Sequence, residues 1–133
     1  MAVATLLDGA RVAATLAADL PARPDPAIEA AAFFAVAEAL QNITRHAPDA
    51  RAAVTIRAAD GRLTVTVADD GPGGADQGAG TGLRGITDRV AAAGGTLLIS
   101  SPPGRGTTIT VDLPMFRIFP DAPPLAPVVP STT

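Results

Sequence analysis

From residue 26 to residue 46 the chain carries no glycine, and no proline after the first position. The stretch is rich in Ala, Glu and Leu, which are strong helix formers. Asp25-Pro26 before it matches a helix start, with Asp as N-cap and Pro at the first helical position. Pro48 ends it. The resulting rod is about 30 Å long. Nothing else in 133 residues is as long, so the rest of the chain must be arranged against it. That length suits one domain.

The partner surface is legible on both sides. Residues 10–20 alternate, with Val12, Ala14, Leu16, Ala18 and Leu20 on one parity, as an amphipathic strand would. Residues 52–57 and 63–68 read as strands around Asp60-Gly61, a tight-hairpin dipeptide. They should pair antiparallel, with Val54, Ile56, Leu63, Val65 and Val67 facing the core. Residues 69–82 form a polar, glycine-dense loop, and residues 83–93 a second helix with Leu83, Ile86 and Val90 on one stripe. Gly94-Gly95 should cap its C-terminus. Residues 96–101 and 107–113 are strands joined by a Pro/Gly turn. The order predicts an α+β fold, with helices on one face of a mixed, mostly antiparallel sheet. Residues 1–9 read as a lead-in and 10–114 as the domain. Residues 115–133 read as a Pro-rich tail, largely disordered, whose Phe116, Ile118 and Phe119 are able to dock on the domain.

Composition narrows the function. Hydrophobic residues make up 47% of the chain but aromatic ones only 3%, so the core must be Ala, Val, Leu and Ile with four Phe. The formal charge of −3 argues against nucleic acid as the partner. Absence of Cys excludes disulfides, thiolate metal sites and a cysteine nucleophile. There is no signal-peptide pattern and no apolar run near the ~20 residues of a spanning helix. We therefore expect a cytoplasmic piece without membrane contact.

Three clusters carry chemistry. On the first helix, Glu38 and Asn42 lie one turn apart on one face. Asn42 offers a neutral carbonyl oxygen, suited to magnesium beside phosphates that already supply the negative charge. Glu38 is placed to orient or deprotonate an attacking group. Arg45 can offer a fork of donors to phosphate, and His46, the only histidine, follows at the helix end. The second cluster is Asp69-Asp70-Gly71-Pro72-Gly73-Gly74, directly after a strand. A carboxylate there can accept from the exocyclic amine of adenine. It would be left unpaired against the guanine carbonyl, so such a site prefers ATP. The third is Gly78-Ala-Gly80-Thr81-Gly82-Leu83, whose backbone N–H groups at a helix start suit a triphosphate. It is neither a P-loop nor a Rossmann fingerprint. Each cluster alone is also compatible with an exposed helix face, a surface turn or a linker; their order is what discriminates.

Taken together, Glu-x-x-x-Asn, a hairpin, Asp-x-Gly-x-Gly and Gly-x-Gly before a helix resemble the GHKL, or Bergerat-fold, ATPases. Within them the chain is most similar to NarX/DesK-type sensor histidine kinases. Glu38-Ala-Leu-Gln-Asn-Ile-Thr-Arg-His-Ala47 resembles their N-box, Gly80-Thr-Gly-Leu-Arg-Gly-Ile-Thr-Asp-Arg-Val90 their second glycine box, and Gly104-Arg-Gly-Thr-Thr-Ile-Thr-Val-Asp-Leu-Pro114 their closing strand. The resemblance covers about residues 10–114.

It implies a two-layer α/β sandwich and a set of roles. Asn42 would coordinate magnesium. Glu38 would act near the γ-phosphate and polarise an acceptor histidine on a partner domain. Asp69 would bind the adenine amine, with Gly71 and Gly73 shaping the pocket. Gly80, Thr81, Gly82 and Leu83 would support the phosphates, and Thr107 or Thr108 would complete the adenine pocket. Arg45 stands where the family often has lysine. His46 would frame the site and is not the phosphoacceptor. The residues between Gly73 and Gly80 would form a short lid, mobile until ATP arrives.

The implied partners are a histidine-bearing dimerisation domain and a response regulator. Nothing before Ala10 can be that dimerisation segment, which leaves a catalytic-domain fragment or a separate protein that phosphorylates in trans; we expect the fragment, inactive in autophosphorylation by itself. The full kinase would be the part that reaches a membrane, if any does. Two other readings fit the same boxes: an anti-sigma-factor serine kinase, and a non-catalytic interaction module. The Arg-His-Ala ending and Gly-Leu-Arg-Gly-Ile disfavour the first; intact Glu38, Asn42 and Asp69 disfavour the second.

Overall fold

The computed structural model describes residues 13–73 and 81–116. Their order is β1 (Ala13–Asp19), α1 (Pro26–His46), β2 (Arg51–Ala59), β3 (Arg62–Asp69), α2 (Thr81–Ala92), β4 (Thr96–Ser100) and β5 (Thr107–Pro114). The five strands form one sheet in the order β1-β2-β3-β5-β4. β1 pairs parallel to β2, as it must when a long helix carries the chain back across the sheet. The other three pairings are antiparallel. This is the expected α+β, mixed and mostly antiparallel architecture.

α1 has the predicted bounds, with Pro26 at its start. The Asp25 carboxylate, however, makes no capping hydrogen bond. The backbone carbonyl of Asp25 accepts instead from Ile28 and Glu29 N–H. The buried face of α1 is Ile28, Ala31, Ala32, Ala35, Val36, Ala39, Leu40 and Ile43. Its alanines let the helix lie close on the sheet, where Val54, Ile56, Leu63, Val65 and Val67 are buried as expected. Asp60 and Gly61 both have positive φ, 54° and 75°, the backbone of a tight primed hairpin turn.

Leu83, Ile86 and Val90 of α2 are all buried. The helix closes with Gly95 N–H donating to Val90 C=O and Gly94 N–H to Ala91 C=O, the paired bonds of a Schellman end. β1 departs from the simple alternation. Ala14 and Leu16 pack on the core but Ala18 is exposed, because this edge strand has a neighbour on one side alone. Val12 lies outside the described residues.

Packing also reaches one residue past β5. Met115 is buried, donates its N–H to Gly61 C=O and accepts from Asp25 N–H. Met115, read from sequence as the first residue of the tail, thus belongs to the folded unit, joining the hairpin turn to the start of α1. No helix among the described residues is long and apolar enough to cross a membrane.

Candidate nucleotide site

Asp69 occupies the last position of β3. It shares the parity of Leu63, Val65 and Val67, so it continues the helix-facing side of the strand beyond the core. It is half-buried, and its Oδ1 accepts from Gly71 N–H at 2.8 Å, a local turn that holds the carboxylate in place. Asp70 faces the other way. Its Oδ1 accepts from Arg51 N–H at 2.6 Å, and its own N–H donates to Arg51 C=O at 3.2 Å. The two bonds tie the end of β3 to the start of β2, just after α1.

Close approach explains the glycines here. A Cβ on Gly71 would sit 2.6 Å from Ala47 Cβ and 2.9 Å from Asp69 Oδ1, so the loop is pressed against the C-terminal end of α1. On the opposite side the β4–β5 turn closes over the loop. Gly104 N–H donates to Pro72 C=O at 2.6 Å. Gly73, at φ 69°, leaves no room for a side chain against the Pro102 carbonyl. Gly106, at φ 75°, lies so close to the Asp69 carbonyl that any Cβ would overlap it. Thr107 is the register partner of Asp69, and its hydroxyl is 2.6 Å from Ser101 Oγ. Thr107 shares the helix-facing parity of Ile109 and Val111. Thr108, paired with Ala68, lies on the opposite face of the sheet.

The α1 residues are arranged differently. Glu38 and Asn42 are half-buried, whereas Arg45 and His46 are exposed in the last turn. Asn42 Oδ1 accepts from Arg45 Nη2 at 2.6 Å. That leaves Asn42 Nδ2 buried and without a partner. The orientation follows from chemistry, since guanidinium can only donate. A buried unsatisfied donor costs about 1–3 kcal/mol. Such an amide fits a group that gains its partner, or turns, when ligand arrives. No cluster of three or more His, Asp or Glu able to hold a metal occurs among the described residues.

Residues 74–80, which include Gly80 and the expected lid, lie outside the described residues. Thr81 and Gly82 open α2, and the Leu83 side chain is buried in the core. The structure therefore joins Asp69, Gly71, Gly73 and Thr107 to the C-terminal end of α1, and sets Thr108 apart. Sequence reasoning quoted Ala47, Asp70 and Gly106 within its motifs but gave none of them a role. The positive φ of Gly106 at a strand start had one signal, its place in Gly104-Arg-Gly106.

Residues 28–117 match the family model described as histidine kinase-, DNA gyrase B- and HSP90-like ATPase. The chain is 36% identical over 90 residues to the sensor histidine kinase YxjM of Bacillus subtilis, covering 68% of this chain and 22% of that protein. It is 42% identical over 88 residues to the signal transduction histidine-protein kinase/phosphatase UhpB of Salmonella typhimurium, covering 62% and 16%. The chain thus spans about a fifth of the length of these relatives. Among solved structures, the Erythrobacter litoralis EL346 blue-light activated histidine kinase superposes with a TM-score of 0.67 at 24% identity. The superposition covers 85% of this chain and 40% of that one, and shows the shared fold.

Proposed function

The chain belongs to the histidine kinase-, DNA gyrase B- and HSP90-like ATPase family, and from that premise we propose that it is the ATP-binding catalytic domain of a two-component sensor histidine kinase. In this reading it transfers the γ-phosphate of ATP to a histidine on a dimerisation domain, from which a response regulator is served. The observation that carries the proposal is the juxtaposition of a strand-end carboxylate, Asp69, with the end of the helix bearing Glu38 and Asn42.

Asp69 accepts from the adenine amine, and Thr107 beside it completes that end of the pocket. Gly71 and Gly73 let the loop pack against Ala47 and the Pro102 carbonyl, and so set the wall of the pocket beside Asp69. Asn42 and Arg45 take the phosphate end, where Arg45 leaves the Asn42 oxygen to meet phosphate oxygens. Asn42 is the residue that would hold magnesium, which would supply charge neutralisation there. Glu38, one turn before Asn42, orients the acceptor imidazole. Phosphoryl transfer of this kind depends on placement and charge more than on covalent catalysis. Gly80, Thr81, Gly82 and the backbone at Leu83 would close over the phosphates. Thr108 drops out of the proposed pocket, because it faces away from α1.

The test is transfer in trans. The chain is mixed with labelled ATP, magnesium and a separately made dimerisation domain from a close relative. Acid-labile, base-stable label on that domain supports a histidine kinase. Acid-stable label on a serine of an antagonist protein would move the assignment to a serine kinase of the same fold. Label on neither, with ATP bound, would leave a nucleotide-binding module and refute the kinase reading.

A further inference from the structure

Toward the start of α1 the helical layer carries a cleft of about 500 Å³ lined by Pro26, Glu29, Ala30, Phe33, Phe34, Ala37 and Arg89. Two of the four phenylalanines of this aromatic-poor chain are spent on it, and both are only half-buried. Arg89 lies over the Phe34 ring, 4.6 Å from its centroid. Phe34 and Arg89 therefore form one wall, and Glu29 marks the end nearer the start of α1. We infer that this cleft is the seat of the chain's own C-terminal segment, with Phe119, which shares one side of an extended chain with Arg117 and Asp121, against Phe33 and Phe34.

Three observations converge on that occupant. The first is where the described chain ends. Met115 C=O accepts from Asp25 N–H, so the chain leaves the fold beside Pro26, the first residue of the cleft. Phe116, the next residue, is 63% exposed. The second is reach. From Pro26 to Ala37 is about 16 Å along a helix, and residues 117–121 extended span about 16 Å. Phe119 is therefore within reach of the cleft.

The third is order of chemistry. Along the cleft come Glu29, then the phenylalanines, then Arg89 over Phe34. Along the segment come Arg117, then Ile118 and Phe119, then Asp121. Cation meets carboxylate, apolar meets apolar and carboxylate meets guanidinium when the segment runs from the start of α1 toward its middle. Glu29 already takes one bond, from Arg23 Nη2 at 3.1 Å, and a carboxylate can accept a second cation. Tethering adds an effective concentration in the millimolar range, so modest contacts suffice for occupancy, and a free partner must compete with it.

The chain contains no cysteine, so a single nitroxide can be placed without background. With the label on Ala122→Cys in the full chain, the backbone amides of Ala30, Phe33, Ala37 and Arg89 should broaden strongly. Those of Thr64 and Thr110, on the far face of the sheet, should not. Tenfold dilution should leave the pattern unchanged, and adding Ile118→Ser and Phe119→Ser should abolish it while the dispersion of the spectrum is kept. Absence of selective broadening overturns the inference. So does broadening that fades on dilution, which would make the occupant a second copy of the chain.

Discussion

The two ends of the candidate site are built to different standards. Asp69 is fixed from every side: by the Gly71 N–H, by Gly106 against its carbonyl, by Thr107 in register, and through Asp70 by Arg51. Asn42 is held by one contact to an exposed arginine and keeps a buried N–H₂ with no partner. The end that carries Asp69 is braced in advance; the end that carries Asn42 is left incomplete. In the proposed function the first meets the base and the second the phosphates. An aromatic base presents one fixed pattern of donors and acceptors, and a preformed carboxylate meets it with little ordering cost. Phosphates and their metal arrive with hydration to be replaced, so a group with unspent hydrogen-bonding capacity serves there.

That contrast can be broken most forcefully at Gly106. Gly106→Ala puts a methyl group onto the Asp69 carbonyl at a positive φ. We expect a stability loss of about 3 kcal/mol in urea denaturation, as strain and overpacking combine, together with loss of ATP binding. An unaffected protein would mean that the β4–β5 turn does not brace Asp69.

Asp69→Asn should leave stability within about 1 kcal/mol, because the Asn side-chain oxygen can still accept from Gly71 N–H. ATP affinity should nevertheless fall by about 100-fold or more, a gap of about 3 kcal/mol, measured by calorimetry. Next in size is Gly71→Ala. The clash with Ala47 Cβ at 2.6 Å should cost about 1–2 kcal/mol. Because the contact spans the loop and α1, it should weaken ATP and magnesium binding together.

At the incomplete end the expected sign reverses. Asn42→Ala removes the buried unpaired donor, so thermal unfolding should show stability unchanged or raised by about 0.5–1 kcal/mol. The magnesium dependence of ATP binding should vanish. A clear destabilisation would show Asn42 to be structural and would erase the contrast. Arg45→Ala, at an exposed position, should move stability by less than about 0.5 kcal/mol.

Much of this fold was legible because its local signals agree. The helix of residues 26–46, the Asp60-Gly61 turn and the stripe of Leu83, Ile86 and Val90 each follow from short-range periodicity or turn chemistry. Strand ends moved by a residue or two where pairing extends past the apolar run, as in β2 (Arg51–Ala59). The partner of β1 was not legible, because a parallel pairing leaves no turn signal. At the site, the residue types of Glu38, Asn42 and Asp69 were readable. Which of Thr107 and Thr108 faces the helices was not, since it depends on the register of β5 against β3. The brace by Gly106 and the orphaned Asn42 amide are tertiary facts, created by parts of the chain that meet only after folding.

The most direct test of the central claim is a calorimetric titration of the chain with ATP and with GTP, each with and without magnesium. The account predicts magnesium-enhanced binding of ATP, no measurable binding of GTP, and loss of the ATP signal in Asp69→Asn. Equal affinity for the two nucleotides, or ATP binding that survives Asp69→Asn, would contradict the assignment of Asp69 to the base.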